Sequence, residues 1–239
     1  MATFYKGDCQ QLIKRLSDKS IDLIYFDPPF NTTQNAWDEP LKWSELFDEF
    51  FRVLKDTGTL VIHCSVPFNY ELIRAAPRPP TYSWYWLKEG PTCPFIAKVQ
   101  PLRNTEEILV WKMKKTTYYP QRVGDKERFV TSNGVSPYYG GISDSKPNTR
   151  QKVKGYYQTH HLTFKRPPTH GKNAKNGFGT RPIELIDLII RSYTKEGDLI
   201  LDPTCHLGIC GKVAKDLKRR WIGFDKYFMP KFLLEPTRT

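Results

Sequence analysis

No stretch of the 239-residue sequence approaches the roughly 20 consecutive apolar residues that a membrane-spanning helix requires, which argues against a membrane protein. Cysteine is scarce and odd in number: five residues, scattered at 9, 64, 93, 205 and 210. This excludes a disulfide framework and suits reduced thiols in a cytoplasmic protein. The opening Met1-Ala2-Thr3-Phe4-Tyr5-Lys6-Gly7-Asp8 turns polar at once, so no secretory signal is expected. Acidic residues are in deficit, 25 against 37 Lys and Arg, for a net charge of +12. The deficit is deepest over 112–181, where 15 Lys and Arg face only Asp125, Glu127 and Asp144. Aromatics are plentiful, with 14 Phe, 13 Tyr and 6 Trp, and that excludes wholesale disorder. The length fits one domain of about 150–200 residues with an elaboration.

A basic surface binds polyanions, of which nucleic acid is the commonest. The ordinary alternative is a charge that serves solubility. Its concentration in one segment favours nucleic acid.

The first 75 residues alternate helix and strand. Asp8 to Leu16 has helical spacing, and Ile21 to Phe26 is a short β-rich run cut off by Asp27-Pro28-Pro29. Trp43 to Leu54 is an amphipathic helix with the stripe Leu46, Phe47, Phe50, Phe51, Leu54. A turn at Asp56-Thr57-Gly58 leads to a strand over 59–64, and a helix from Asn69 ends at Pro77. Strands follow at 82–87 and 108–111. From 115 to 178 no long apolar period survives, which predicts a disordered insert or a substrate-contacting module of irregular backbone. Regularity returns with a helix over 182–193, a strand at 198–201, a helix at 211–217 and a strand at 221–224. The alternation predicts an α/β fold, a Rossmann-like, mostly parallel sheet flanked by helices on both faces. Ligands of such sheets bind beyond the carboxyl ends of the strands. The residues just after each strand are therefore the informative ones.

Two of those segments carry chemistry. Asp202-Pro203 followed by a turn with Gly208 and then a helix is a small-molecule cradle, because bare backbone and a helix N-terminus can approach a ligand closely. About twenty residues on, Asp225 ends the next strand, where a carboxylate can accept from both ribose hydroxyls of a nucleoside cofactor. An ordinary βαβ turn with an acidic cap has the same pattern. The sharper signal is Asp27-Pro28-Pro29-Phe30. Consecutive prolines fix φ and forbid helix before them. The Asp27 carboxylate and Pro28 carbonyl can then both accept from one planar NH₂ group, with Phe30 as a stacking wall.

These residues resemble the DNA amino-methyltransferases, in the circularly permuted arrangement called the β class. Gly7-Asp8-Cys9 through Asp27-Pro28-Pro29-Phe30 is similar to the family's opening and catalytic motif, 51–60 to the helix–turn–strand that follows, and 103–109 to the segment before its variable region. Thr180-Arg181-Pro182 resembles the start of the methionine-binding motif, 197–203 the approach to the cofactor loop, and 221–225 the ribose-binding strand. The resemblance implies a catalytic domain at 1–111 and 179–239, with 112–178 as an inserted target-recognition region.

What the resemblance implies is a site-specific enzyme using S-adenosylmethionine on a flipped base of double-stranded DNA. A motif beginning with Asp points to adenine N6, though some N4-cytosine enzymes share it. Asp27, Pro28, Pro29 and Phe30 would be catalytic. Asp8, Asp27, Thr180, Arg181, Pro182, Asp202, Pro203, Thr204, Cys205, His206, Gly208 and Asp225 would bind the cofactor, with Asp8 at its adenine end. In the basic segment Lys152 and Lys154 would meet phosphates, and Arg122, Arg128 and Arg150 would read bases. A homodimer and a cognate restriction endonuclease are partners the family suggests.

One departure stands out. The family's loop reads Asp-Pro-Phe-x-Gly-x-Gly, and here Thr204 replaces the aromatic and His206 the first glycine. A Cβ at 206 crowds the cofactor or demands a different backbone. Cys205, His206 and Cys210 lack a second ligand pair, so no metal is expected. Cys9, Cys64 and Cys93 read as inert thiols, and His160, His161 and His170 as phosphate or base contacts. Three other readings stay open: an N4-cytosine enzyme of the same fold, a non-catalytic nucleic-acid-binding subunit with a degraded cofactor loop, and an RNA methyltransferase.

Overall fold

A computed structural model describes residues 1–92, 96–132, 149–167 and 181–233. The chain forms two compact units, Met1–Tyr119 with His160–Thr239, and Pro120–Thr159. The strands are β1 (Ala2–Lys6), β2 (Ile21–Phe26), β3 (Leu54–Cys64), β4 (Tyr82–Thr92), β5 (Arg103–Lys112), β6 (Arg122–Ser132), β7 (Thr149–Tyr157), β8 (His161–Phe164), β9 (Leu199–Asp202) and β10 (Arg220–Asp225). The helices are α1 (Cys9–Leu12), α2 (Trp43–Val53), α3 (Phe68–Ala75), α4 (Ile183–Tyr193) and α5 (Ile209–Asp216).

Eight strands make one sheet in the order β1-β10-β9-β2-β3-β5-β4-β8. Only the pairings of β5 with β3 and with β4 are antiparallel, so β5 alone runs against the rest. Its first residues therefore lie at the carboxyl ends of its neighbours. Glu107 pairs with Cys64, the last residue of β3. The six residues of β2 are all buried, as a central parallel strand with both faces covered must be. Asp22 is its one charge, and the carboxylate accepts from Lys55 Nζ at 2.8 Å and from Leu199 N at 2.9 Å. A buried acid thus ties β2 to both flanking strands.

Period-two alternation sends Ile24, Phe26, Leu60, Ile62, Leu109 and Trp111 to one face. There they meet Leu46, Phe47, Phe50 and Val53 of α2, a stripe at helical spacing. Leu23, Tyr25, Val61, Ile108, Val110 and Ile200 pack on the other face with Leu185, Ile186, Ile189 and Ile190 of α4 and Val213 and Ala214 of α5. Each fully buried Leu, Ile or Phe contributes about 1.5–3 kcal/mol.

Three details differ from expectation. The turn at Asp56-Thr57-Gly58 lies inside β3, as a shift of register between Ile21↔Leu54 and Leu23↔Thr59. The edge strands β1 and β8 extend the sheet where short polar stretches give no apolar run. In the second unit β6 and β7 pair antiparallel, with a shift of register between Val123 and Glu127. Regular strands thus stand where the composition predicts disorder or irregular backbone. Their side chains pack as cation–aromatic stacks, so an apolar period is not needed.

Candidate active site

The carboxyl ends of β1, β10, β9 and β2 surround a cavity of about 470 Å³. Asp8, Asp27, Pro28, Pro29, Phe30, Arg181, Asp202, Pro203, Thr204, Cys205, His206 and Asp225 all line it. The sheet thereby joins three segments that lie far apart in the chain. Thr180 lies outside the described residues, as do Cys93 and His170. Pro182 is the buried residue that precedes α4.

Phe30 is backed on one side by Phe68, ring centroids 5.0 Å apart and nearly parallel. The Asp27 side chain accepts from Arg181 Nη2 at 2.6 Å. Burial is the largest influence on this carboxyl and holds it above the usual carboxylate range; Arg181 pulls the other way. Burial, joined by Asp27 and Asp225, also pushes Asp202 up. Tyr25 lines the same cavity, and its buried hydroxyl has no hydrogen-bond partner among the described residues.

The loop after β9 explains its own departures. Thr204 Oγ1 donates to the Asp27 carbonyl at 2.8 Å, so the threonine ties this loop to the Asp27 turn. His206 sits at φ +48°, the left-handed region that favours glycine. The histidine thus keeps the backbone expected of a glycine, and its ring meets Phe228 edge-on at 4.2 Å. Gly208 has φ +75°, and a Cβ there would lie 2.5 Å from Pro230. Only glycine fits that turn into α5.

Asp225 is more occupied than the sequence suggests. It accepts from the backbone N–H groups of His206 at 2.8 Å, Tyr227 at 2.8 Å and Phe228 at 2.7 Å. A carboxylate has about four acceptor sites, so three are engaged in shaping the loops around it. Asp8 caps α1, accepting from Gln10 N at 2.8 Å.

Sequence alone does not mark Glu106 and Lys88, whereas His63, with Cys64, stands at one of the strand ends that the sequence points to. Glu106 is 3% exposed and receives His63 Nδ1 at 2.8 Å, Lys88 Nζ at 3.0 Å and Arg181 Nε at 2.7 Å. Burial works to raise its carboxyl, but Arg181, His63 and Lys88 together hold it far below the usual range. The available signal was a pair of acids opening the apolar run Ile108 to Trp111. The segment after Phe30 also contributes Thr32, Thr33 and Trp37 to the cavity wall. It is folded by Asp38, which accepts from the N–H groups of Asn31, Thr32 and Thr33 at 2.6–2.8 Å. Burial pushes the Cys9 thiol up to about 12, and the buried Cys64, Cys205 and Cys210 are also raised, so all four stay protonated at neutral pH.

The five basic residues singled out over 112–178 all lie on the second unit's hairpin. Arg122 stacks over Tyr157 at 3.9 Å, Arg128 over Tyr156 at 4.1 Å and Arg150 over Phe129 at 4.2 Å. Lys152 pairs with Glu127 at 2.6 Å and Lys154 with Asp125 at 2.8 Å.

The family described as DNA methylase matches residues 21–228. The chain belongs to this family. It is 28% identical over 236 residues to the type II methyltransferase M.BamHI of Bacillus amyloliquefaciens, covering 94% of this chain and 54% of that one. To M.HpaI of Haemophilus parainfluenzae it is 25% identical over 230 residues, covering 89% and 66%. The chain thus spans between half and two thirds of the length of these relatives. Among solved structures it superposes on the PvuII DNA methyltransferase, described as cytosine-N4-specific, with a TM-score of 0.63 at 17% identity, covering 100% and 88%. It superposes on the M1.HpyAVI–SAM complex with a TM-score of 0.62 at 21% identity, covering 94% and 93%. These likenesses establish the shared fold, a mostly parallel sheet flanked by helices.

Proposed function

We propose that this protein is a site-specific DNA methyltransferase that carries a methyl group from S-adenosylmethionine to the exocyclic N6 of a flipped adenine. The observation that carries the reading is the Asp27-Pro28-Pro29-Phe30 turn, opening into one cavity with the Asp202–Leu207 loop. The family match and the SAM-bound relative of the same fold support the cofactor. The lining supports it too: Asp8 and Asp225 offer carboxylates, and Tyr25 brings a buried hydroxyl that lacks a partner among the described residues. Asp225 would meet the ribose with its remaining acceptor capacity while its other bonds fix the loop.

The cofactor, when bound, supplies an electrophilic methyl group. The chain's own groups prepare the acceptor. The Asp27 carboxylate and Pro28 carbonyl accept the two amine hydrogens, which draws the nitrogen toward tetrahedral geometry and frees its lone pair. Phe30, backed by Phe68, stacks on the base. The Asp27 carboxylate would take the proton that leaves after the new N–C bond has formed and the methyl–sulfur bond has broken. Positioning and electrostatics supply the acceleration, and the base must leave the duplex because its amine is otherwise stacked and paired.

The hairpin would meet DNA, with guanidinium planes already stacked on aromatic rings. A cytosine-N4 acceptor is the second reading, favoured by the cytosine-N4-specific relative of the same fold. We also place the protein in the cytoplasm; among the described residues no helix is long and apolar enough to cross a membrane. Digestion of DNA incubated with protein and labelled cofactor, followed by nucleoside mass analysis, tests all of this. N6-methyl-2′-deoxyadenosine is expected; N4-methyl-2′-deoxycytidine establishes the second reading, and unlabelled DNA overturns both.

A further inference from the structure

Arg181 spans two acids. Its Nη2 donates to Asp27 Oδ1 at 2.6 Å and its Nε pairs with Glu106 Oε1 at 2.7 Å, with the side chain 13% exposed. Glu106 cannot follow Arg181 if it moves. Its Oε1 also receives His63 Nδ1, and its Oε2 holds Lys88 at 3.0 Å. His63 Nε2 is buried with no partner among the described residues, so the ring proton belongs on Nδ1, facing Glu106. Residues from β3, β4 and the segment just before α4 thus converge on one carboxylate of β5, which anchors the arginine.

We propose that Arg181, anchored by Glu106, is a positioning residue that holds the Asp27 carboxylate ionised and oriented toward the amine of the methyl acceptor. This rests on the reading of the site as an amino-methyltransferase and deepens it. A protonated Asp27 would present an O–H donor where the amine needs an acceptor. Burial already favours that protonated form. The titratable and charged groups facing Asp27 are Arg181, His63 and His206, which favour ionisation, and Glu106, Asp202 and Tyr25, which oppose it. Arg181 is the largest of the favourable ones. Without it a buried and a half-buried carboxylate would confront each other, and such pairs resolve by protonating one member. Lysine would restore charge but not the span, because only the planar fork donates to both acids at once.

The test compares wild type with Arg181→Met, Arg181→Lys and Glu106→Gln. Single-turnover methyl transfer is followed from about pH 5 to about pH 9, and each unit of carboxyl shift costs about tenfold in ionised fraction below the pKa. Calorimetry gives the S-adenosylmethionine Kd, and carbon NMR of labelled Asp gives the Asp27 titration in unliganded protein. Arg181→Met is expected to move both the Asp27 titration and the acidic limb of the rate to higher pH, with the cofactor Kd changed only a few-fold. Arg181→Lys is expected to keep the limb and lower the plateau. An unmoved Asp27 titration in Arg181→Met, with cofactor affinity sharply lost, overturns the proposal and makes Arg181 a cofactor ligand. Should Arg181→Met not fold, profiles of Arg181→Lys and Glu106→Gln that superpose on wild type in plateau and limb overturn it equally. Failure of wild type to methylate any DNA would sink the parent reading instead, and the NMR titration would still judge the bridge.

Discussion

In the larger unit Arg181 reaches Asp27 at 2.6 Å from a side chain 13% exposed; in the hairpin unit Lys154 reaches Asp125 at 2.8 Å with both partners open to solvent. The distances barely differ, but the energetics do. Exposed pairs are screened and contribute about 0–1 kcal/mol. A buried pair is costly to break, because the partner left behind stays desolvated and uncompensated. Glu106 shows the extreme, one carboxylate receiving three charged or polar donors within 3.0 Å. Ion pairs in this protein are therefore ranked by burial, and the two units should respond to mutation in different quantities: folding and turnover in one, DNA affinity in the other.

The sharpest way to break this contrast is Asp27→Ala. Methyl transfer should fall by at least about a hundredfold, the order seen when one preorganised polar group is removed from a reaction centre. DNA binding should change only a few-fold, since on the proposed reading Asp27 serves the amine and no phosphate. Retained turnover would overturn the site assignment.

Glu106→Gln should cost about 3–5 kcal/mol of folding stability at pH 7, as breaking one member of a buried ionic cluster does. The sign with pH follows from the depressed carboxyl. A folded-state value held below the ordinary 4.5 adds stability above that value and loses it as pH falls through the folded one. The gap between wild type and Glu106→Gln in denaturant titrations should thus be widest near neutrality and narrow below about pH 4.5. A gap independent of pH would mean the glutamate acts by shape alone.

Asp225→Ala should weaken S-adenosylmethionine binding by about 1.5–3 kcal/mol, the worth of a hydrogen bond to a charged group. Part of that loss is indirect, since the same carboxylate holds the N–H groups of His206, Tyr227 and Phe228. Unchanged affinity by calorimetry would move the ribose site elsewhere. Phe30→Ala should weaken the flipped base by about 1–3 kcal/mol, read with a fluorescent base analogue.

The sequence exposes the part of the site built from strand–turn junctions. Asp27-Pro28-Pro29-Phe30, Asp202 to Gly208 and Asp225 each follow an apolar run, and a parallel sheet must bring such ends together. It conceals what depends on strand order and direction. Glu106 joins the site only because β5 runs backwards, and nothing local to Glu106 announces that reversal. Thr204 reads as a lost aromatic until its hydroxyl is seen on the Asp27 carbonyl. The hairpin is hidden for a different reason. Its order comes from Arg122, Arg128 and Arg150 lying on aromatic rings, and alternating bases and aromatics have no apolar period to detect.

The smallest expected effect on folding is that of Lys152→Ala with Lys154→Ala. Both lysines form exposed pairs, with Glu127 and Asp125, so unfolding free energy should change by less than about 1 kcal/mol. DNA binding should respond more. Each phosphate neutralised contributes about −0.9 to the slope of log affinity against log salt, so the double variant should flatten that slope by up to about two units. Specific and random duplexes should weaken alike, because phosphate contacts position the protein without reading sequence. The acidic partners offer a counter-test. Glu127→Gln with Asp125→Asn frees both lysines, and if these meet phosphates, affinity should rise at low salt. Arg128→Ala should behave otherwise, relaxing discrimination at one base position and leaving the slope nearly unchanged. If the lysine variant alters folding as much as Glu106→Gln does, exposure does not separate the two units. If it leaves the salt slope intact, the hairpin's charge serves solubility and phosphate contacts must be sought on the other unit.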